Sequence, residues 1–184
     1  RRINSINWKM NRDNVVSVFQ FFLLLFLQSF LLNMINLFGF INPNLYLLYI
    51  IVYRLDSNPT LLIILGFFMG LLLDLLTQGS GGHTIATLTI AFLRPSIIKF
   101  SFGVNYDVPM GMIKGSLLSQ RLLYLLLMVM IHHLVLYSVI YFSFNNTITI
   151  LKNTLFTSFF TFIMVYISLG LFKEKWLGVF FYRL

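Results

Sequence analysis

Cysteine is absent from all 184 residues, which removes disulfides, zinc–thiolate sites, iron–sulfur clusters and thiol catalysis from consideration. Acidic side chains are nearly as scarce, five Asp and Glu against thirteen Lys and Arg. Charged residues of both signs make up only 10% of the chain, too few to give a soluble domain its polar skin. What is there instead is apolar: 59% hydrophobic residues and a mean hydropathy of +0.89. Lipid has to cover that surplus. A net charge of +8 would point to nucleic acid in a soluble chain. Here the basic residues cluster between apolar runs rather than along one face, so the expected anionic partner is phospholipid headgroups and not nucleic acid.

About 20 apolar residues span a hydrocarbon core. Runs near that length occupy residues 15–40, 61–76, 84–98, 122–144 and 155–172. The first run lacks a small-residue cleavage site and reads as a retained helix. A sixth segment, 45–53, would reach only about 14 Å as a helix, and its length alone argues against a crossing. Charge placement argues for one, because Lys and Arg stay on the cytoplasmic side of membrane helices. With six crossings and the N-terminus inside, every Lys and Arg except Lys152 falls on the inner side, whereas five crossings divide them 8 to 5. The sequence therefore predicts an all-α integral membrane bundle of six helices over 15–172. Residues 1–14 and 173–184 are expected in the cytoplasm. Met10 opens the polar stretch before the first run, and residues 1–9 are read as lying upstream of the fold. The stretch 99–120 reads as an inner interfacial loop, and 145–154 as an outer connection.

The densest chemical signal is residues 66–83. Gly66, Gly70 and Asp74 recur at four-residue spacing and so share one helix face, where small residues let a second helix approach closely. A carboxylate inside a span costs about 2.5–3.5 kcal/mol and needs a partner. His83, Thr84 and Thr87 are the near candidates, and Arg94 lies toward the other end of the following helix. Asp74 is expected to pin the 79–82 turn as a hydrogen-bond acceptor, with a ligand or proton role and a partner contact as the alternatives. The Gly79–Ser80–Gly81–Gly82 turn has no phosphate-loop lysine and reads as a tight hairpin.

Arg94–Pro95 suggests a helix stop or kink, with the cation snorkelling to the headgroups or paired with Asp56 or Asp107. Lys99, Lys114 and Arg121 are placed with it at the interface. Adjacent His132 and His133 point about 100° apart and cannot share a metal as ligands four apart could. At least one is expected to hydrogen-bond across the bundle. No cofactor is expected, and a single intramembrane carboxylate is no catalytic constellation.

The stretch GFFMGLLLDLLTQGSGGHTIATLTIAFLRP at residues 66–95 resembles the signature region of the MreD family of rod-shape-determining membrane proteins, in the form seen in Bacteroidetes-like bacteria. Gly66, Gly70, Asp74, Gly82 and His83 carry the match, with Ala86 and the Phe92–Leu93–Arg94–Pro95 end. Chain size, span number and terminal orientation agree with it, while residues 1–9 and 176–184 fall outside the family's pattern. The resemblance implies a six-helix bundle like the substrate-binding subunits of ECF-type vitamin importers. It implies a non-enzymatic scaffold in the bacterial inner membrane that binds MreC and, with it, influences RodA, its class B penicillin-binding transpeptidase and MreB. The competing reading is a vitamin-binding subunit of an ECF-type importer, since such a bundle can enclose a ligand between its outer loops.

Overall fold

The computed structural model describes residues 15–39, 41–53, 58–103 and 117–171. Among these there is no β-strand, and six helices follow one another: α1 Val15–Met34, α2 Leu47–Val52, α3 Pro59–Leu76, α4 Gly82–Phe102, α5 Leu118–Tyr141 and α6 Thr147–Leu171. Five are long and apolar enough to cross a membrane; α2, at six residues, is not.

The distribution of side chains is the reverse of a soluble bundle. Leu75, Phe92, Phe100 and Phe159 lie exposed on the outside, whereas Asp74, Thr87, Arg94, His132, His133, Thr157 and Thr161 are buried. Such an arrangement is stable only where the surrounding solvent is hydrocarbon. Inward positions repeat at helical spacing, as in Leu62, Gly66, Met69, Gly70, Leu73 and Asp74 of α3 and in Ala86, Thr87, Ile90, Ala91 and Arg94 of α4. Sequential packing of α3 on α4, α4 on α5 and α5 on α6 builds the wall.

Several element ends differ from those read in the sequence. The first helix stops at Met34 rather than running to residue 40. Its backbone widens into a π turn at Leu27–Leu31 and tightens into a 3-10 turn at Leu32–Met34, after which Leu37 and Ile41 exchange two backbone hydrogen bonds of 2.9 Å. The last helix begins at Thr147, so most of the expected 145–154 connection is helical. Its inward residues there, Asn153 and Thr154, are polar and lower the local hydropathy without breaking the helix. Pro95 neither stops nor ends α4, which continues to Phe102 and closes on Gly103 in the left-handed region (φ +67°). The inner loop expected at 99–120 thus begins later, and its residues 104–116 lie outside the described part.

The segment 45–53 is the centre of the molecule. Tyr46, Leu47 and Ile50 are fully buried, and α2 packs on α4 and α5. Its start lies beside His83, in the first turn of α4, and its end beside Arg94. Residues 83 to 94 of α4 rise about 16 Å, and the reach of the Tyr46 and Arg94 side chains makes up part of that interval, so α2 with its flanks runs along the bundle axis between them.

Candidate functional site: a buried polar network around the short helix

A helix of two turns leaves its first N–H groups and last C=O groups without internal partners, and inside a membrane there is no water to take them. Here side chains from the long helices do so. At the start of α2, Leu45 N–H donates to Gln28 Oε1 at 2.8 Å and Asn44 N–H to Thr161 Oγ1 at 3.0 Å. Gln28 Nε2 also donates to the Pro43 carbonyl at 3.1 Å and to Asn44 Oδ1 at 3.4 Å. The π turn of α1 contains Gln28 itself, and such widened turns commonly mark working positions.

At the other end, the Arg94 guanidinium donates to the Ile51 carbonyl at 3.3 Å and to the Tyr53 carbonyl. Its Nε donates to the Tyr124 hydroxyl at 3.1 Å, which in turn donates to Ile51 O at 3.1 Å. A cation at a helix C-terminus also meets the negative end of the peptide dipoles. The expectation that Arg94 snorkels to the headgroups is therefore corrected: it is 6% exposed and turned inward, because a broken helix ends beside it. Its alternative partners, Asp56 and Asp107, lie outside the described residues, as does Lys114. Lys99 is exposed, Arg121 half-buried and Pro95 half-buried, on the same stretch of the bundle as the Arg94 end.

Between the two caps, the Tyr46 hydroxyl lies 2.8 Å from His83 Nδ1 and 2.9 Å from His132 Nε2. His133 Nδ1–H donates to the Val129 carbonyl at 2.8 Å, which leaves Nε2 to accept from Asn44 Nδ2 at 3.1 Å and Thr161 Oγ1 at 3.4 Å. Both adjacent histidines thus face inward and bond across the bundle to different partners. Their rings are 5.0 Å apart, and among the described residues no group of three or more ligating side chains forms a metal site. Further along, Tyr137 bonds to Thr157 at 2.8 Å and Asn153 to Tyr141 at 2.7 Å, tying α5 to α6.

The Asp74 carboxylate sits at the end of α3 and caps the next helix. It accepts from His83 N–H at 3.2 Å and from Thr84 through both N–H, at 2.8 Å, and hydroxyl, at 2.6 Å. An acceptor bearing negative charge at a helix N-terminus is favoured twice, by the hydrogen bonds and by the dipole. The structural role read in the sequence is the one observed. Thr87 is not a partner; its hydroxyl returns to the His83 and Thr84 carbonyls at 2.8 and 3.1 Å. Gly66 and Gly70 face α4 of the same chain, as a Cβ on Gly70 would lie 2.5 Å from Thr84 Cα and 2.6 Å from the His83 carbonyl. Gly82 makes the corresponding approach to α5, where a Cβ would lie 3.1 Å from Leu136 and 3.2 Å from Ile140.

Asp74→Asn is expected to lower stability by about 2 kcal/mol. The amide offers one oxygen where two receive donors, and its NH2 then faces an N–H. Thr84→Ala, which removes one of the three donors, is expected to cost about half as much. SDS titration followed by circular dichroism compares the two.

Gln28, Asn44, Tyr46, Tyr124, Thr157 and Thr161 belong to the network and carried no weight in the sequence reading. A usable signal exists for α6, where Asn153, Thr154, Thr157, Ser158 and Thr161 recur at three- and four-residue spacing, a polar stripe on one face of an otherwise apolar helix. Gln28 shares its apolar run with Gln20, and nothing in the sequence sets the one apart from the other. No such mark distinguishes Tyr46 from the many interfacial aromatics of a membrane protein.

No protein-family model, curated protein or solved structure matches this chain.

Proposed function

We propose that the chain is a non-enzymatic scaffold of the MreD kind in the bacterial inner membrane. It crosses the membrane six times with both termini in the cytoplasm, docks MreC, and passes that state to RodA, its transpeptidase and MreB. The observation that carries the reading is that the stretch bearing the family resemblance, residues 66–95, forms one architectural unit. Its glycines seat α3 on α4, Asp74 caps α4, and Arg94 holds the end of α2. Those polar groups are engaged inside the chain, and the long helices turn apolar flanks outward. A scaffold with such short connections meets its partners chiefly through helix flanks and rims.

Three further points support the scheme. The α2 segment advances along the bundle axis with both ends capped, the condition under which broken helices are tolerated at membrane depth. The charge bias needs that crossing to be coherent. Six helical elements also suit a bundle like that of the ECF importer subunits.

Co-expression with MreC and affinity purification through a tag on this chain tests the proposal. A stable complex that survives gel filtration in mild detergent is the expected result. Recovery of folded, monodisperse chain without MreC contradicts it. A vitamin-binding importer subunit remains the second reading, favoured by the Thr154 and Ser158 hydroxyls, which are buried without a partner. Mass spectrometry of the purified protein would then detect a retained small molecule in place of MreC.

A further inference from the structure

The Tyr46 hydroxyl has one hydrogen and two imidazole nitrogens within hydrogen-bond distance, His83 Nδ1 at 2.8 Å and His132 Nε2 at 2.9 Å. A phenol donates once, so it can serve only one imidazole, and the other must donate to the phenol oxygen. The proton positions of His83 and His132 are thereby linked, although the rings belong to different helices. We propose that His83, Tyr46 and His132 form a proton-binding relay, in which uptake of one proton charges His83 and exchanges the tautomer of the fully buried His132.

In the uncharged state His83 carries its hydrogen on Nε2, Tyr46 donates to His83 Nδ1, and His132 Nε2–H donates to Tyr46. His132 Nδ1 is then a bare acceptor, and it has no protein partner at 0% exposure. With Nε2 of both rings carrying a hydrogen and His83 Nδ1 accepting from the phenol, His132 Nδ1 is the one ring nitrogen of the trio left to receive a proton. Uptake there lets the Nε2 proton pass to the phenol oxygen while the phenol's own proton passes to His83 Nδ1. The phenol ends as it began, His132 holds its single proton on Nδ1, and His83 holds two. One proton enters, none leaves, and the hydrogen bonds along the trio reverse direction.

The surroundings favour charge at His83 over His132. His83 is half-buried at the start of α4, and the Asp74 carboxylate accepts from its amide at 3.2 Å, offsetting the positive end of that helix. Besides Tyr46, whose ring lies 5.6 Å away, the ionisable ring beside His132 is that of His133, 5.0 Å away, and neither brings a negative charge as Asp74 does to His83. Of the other ionisable groups, Tyr137 stacks on His133, and Tyr49 bonds to Ser17 at 3.2 Å. Arg94 lies at the far end of α2 with its donors on the Ile51 and Tyr53 carbonyls. His133 cannot join the exchange, since its Nδ1–H is held by the Val129 carbonyl.

The chain has three histidines, so imidazole ¹⁵N spectra of histidine-labelled protein in phospholipid nanodiscs need few assignments. As the pH is lowered from 8 to the acid limit at which the protein stays folded, His83 is expected to become doubly protonated, His132 to change from Nε2–H to Nδ1–H with the same midpoint, and His133 to remain Nδ1–H. A single His132 tautomer across the range, separate midpoints, or no titration of His83 overturns the proposal. In Tyr46→Phe, His132 is expected to lose its response while His83 still titrates; an unchanged joint transition in that variant also overturns it. The wild-type spectra decide the matter even if the variant does not fold.

Discussion

Arg94→Ala is expected to lower stability by about 3–5 kcal/mol, a large part of the total of a typical domain. The substitution strips two carbonyls, Ile51 O and Tyr53 O, of their charged donor and leaves the Tyr124 hydroxyl without the guanidinium it accepts from. Interhelical hydrogen bonds in membranes average well below 1 kcal/mol because the displaced groups usually find other partners. That relief is limited here. The carbonyls belong to the end of a two-turn helix whose residues are buried, where Ile51 O keeps the Tyr124 hydroxyl as a donor and Tyr53 O loses its guanidinium. Arg94→Lys keeps the charge but offers a point donor in place of a planar fork, and is expected to recover about half of the loss. SDS titration monitored by circular dichroism reads both variants. Equal stability of Arg94→Ala and wild type would mean that the short helix is held by apolar packing alone.

Gly70→Ala is expected to cost about 3 kcal/mol, and Gly66→Ala about 1 kcal/mol. The contrast comes from what each added methyl meets. At Gly70 the methyl meets the Thr87 hydroxyl and, close behind it, backbone, Thr84 Cα at 2.5 Å and the His83 carbonyl at 2.6 Å; a rotated threonine does not clear the backbone, so the helices themselves must separate. At Gly66 the nearest atoms are Ala91 Cβ at 3.1 Å and the Thr87 carbonyl at 3.3 Å, which a shift of a few tenths of an ångström relieves. Separation at Gly70 also moves His83 and Thr84, the two residues capped by Asp74, so the loss of packing and the loss of the cap are coupled. Gly70→Leu enlarges the same clash and is expected to prevent recovery of folded protein. Thermal unfolding of the two alanine variants in one detergent tests the order; a milder effect at Gly70 than at Gly66 would contradict the close approach.

The parts legible in the sequence share a physical character. A carboxylate, a pair of imidazoles and a four-residue glycine spacing are each costly or unusual in an apolar run, so each implies a compensating contact whatever the rest of the fold does. Asp74 at the turn, the inward histidines and the glycine face all follow from that. Arg94 was misplaced for the opposite reason. Snorkelling is an argument from side-chain length and distance to the helix end, and neither reveals that a second helix terminates beside the guanidinium. The start of α6 was missed because hydropathy treats threonine and asparagine as loop formers, while a buried polar face is compatible with an unbroken helix when facing side chains answer it. Helix α2 combines both difficulties. Its apolar length is ambiguous by itself, and the groups that stabilise it, Gln28, Thr161, Arg94 and Tyr124, are scattered through the chain.

The way α2 is suspended bears on how the protein is made. A stretch of nine apolar residues gives an insertion machinery too little hydrophobic length to admit by itself. The α3–α4 hairpin, closed by Asp74 and a tight turn, is held by contacts local in sequence. The anchors for the segment before it are spread along the chain: Gln28 precedes it, His83 and Arg94 arrive with α4, and Tyr124, His133 and Thr161 come only with α5 and α6. The second helical element of the chain therefore has its full set of partners only once the last helix has been made.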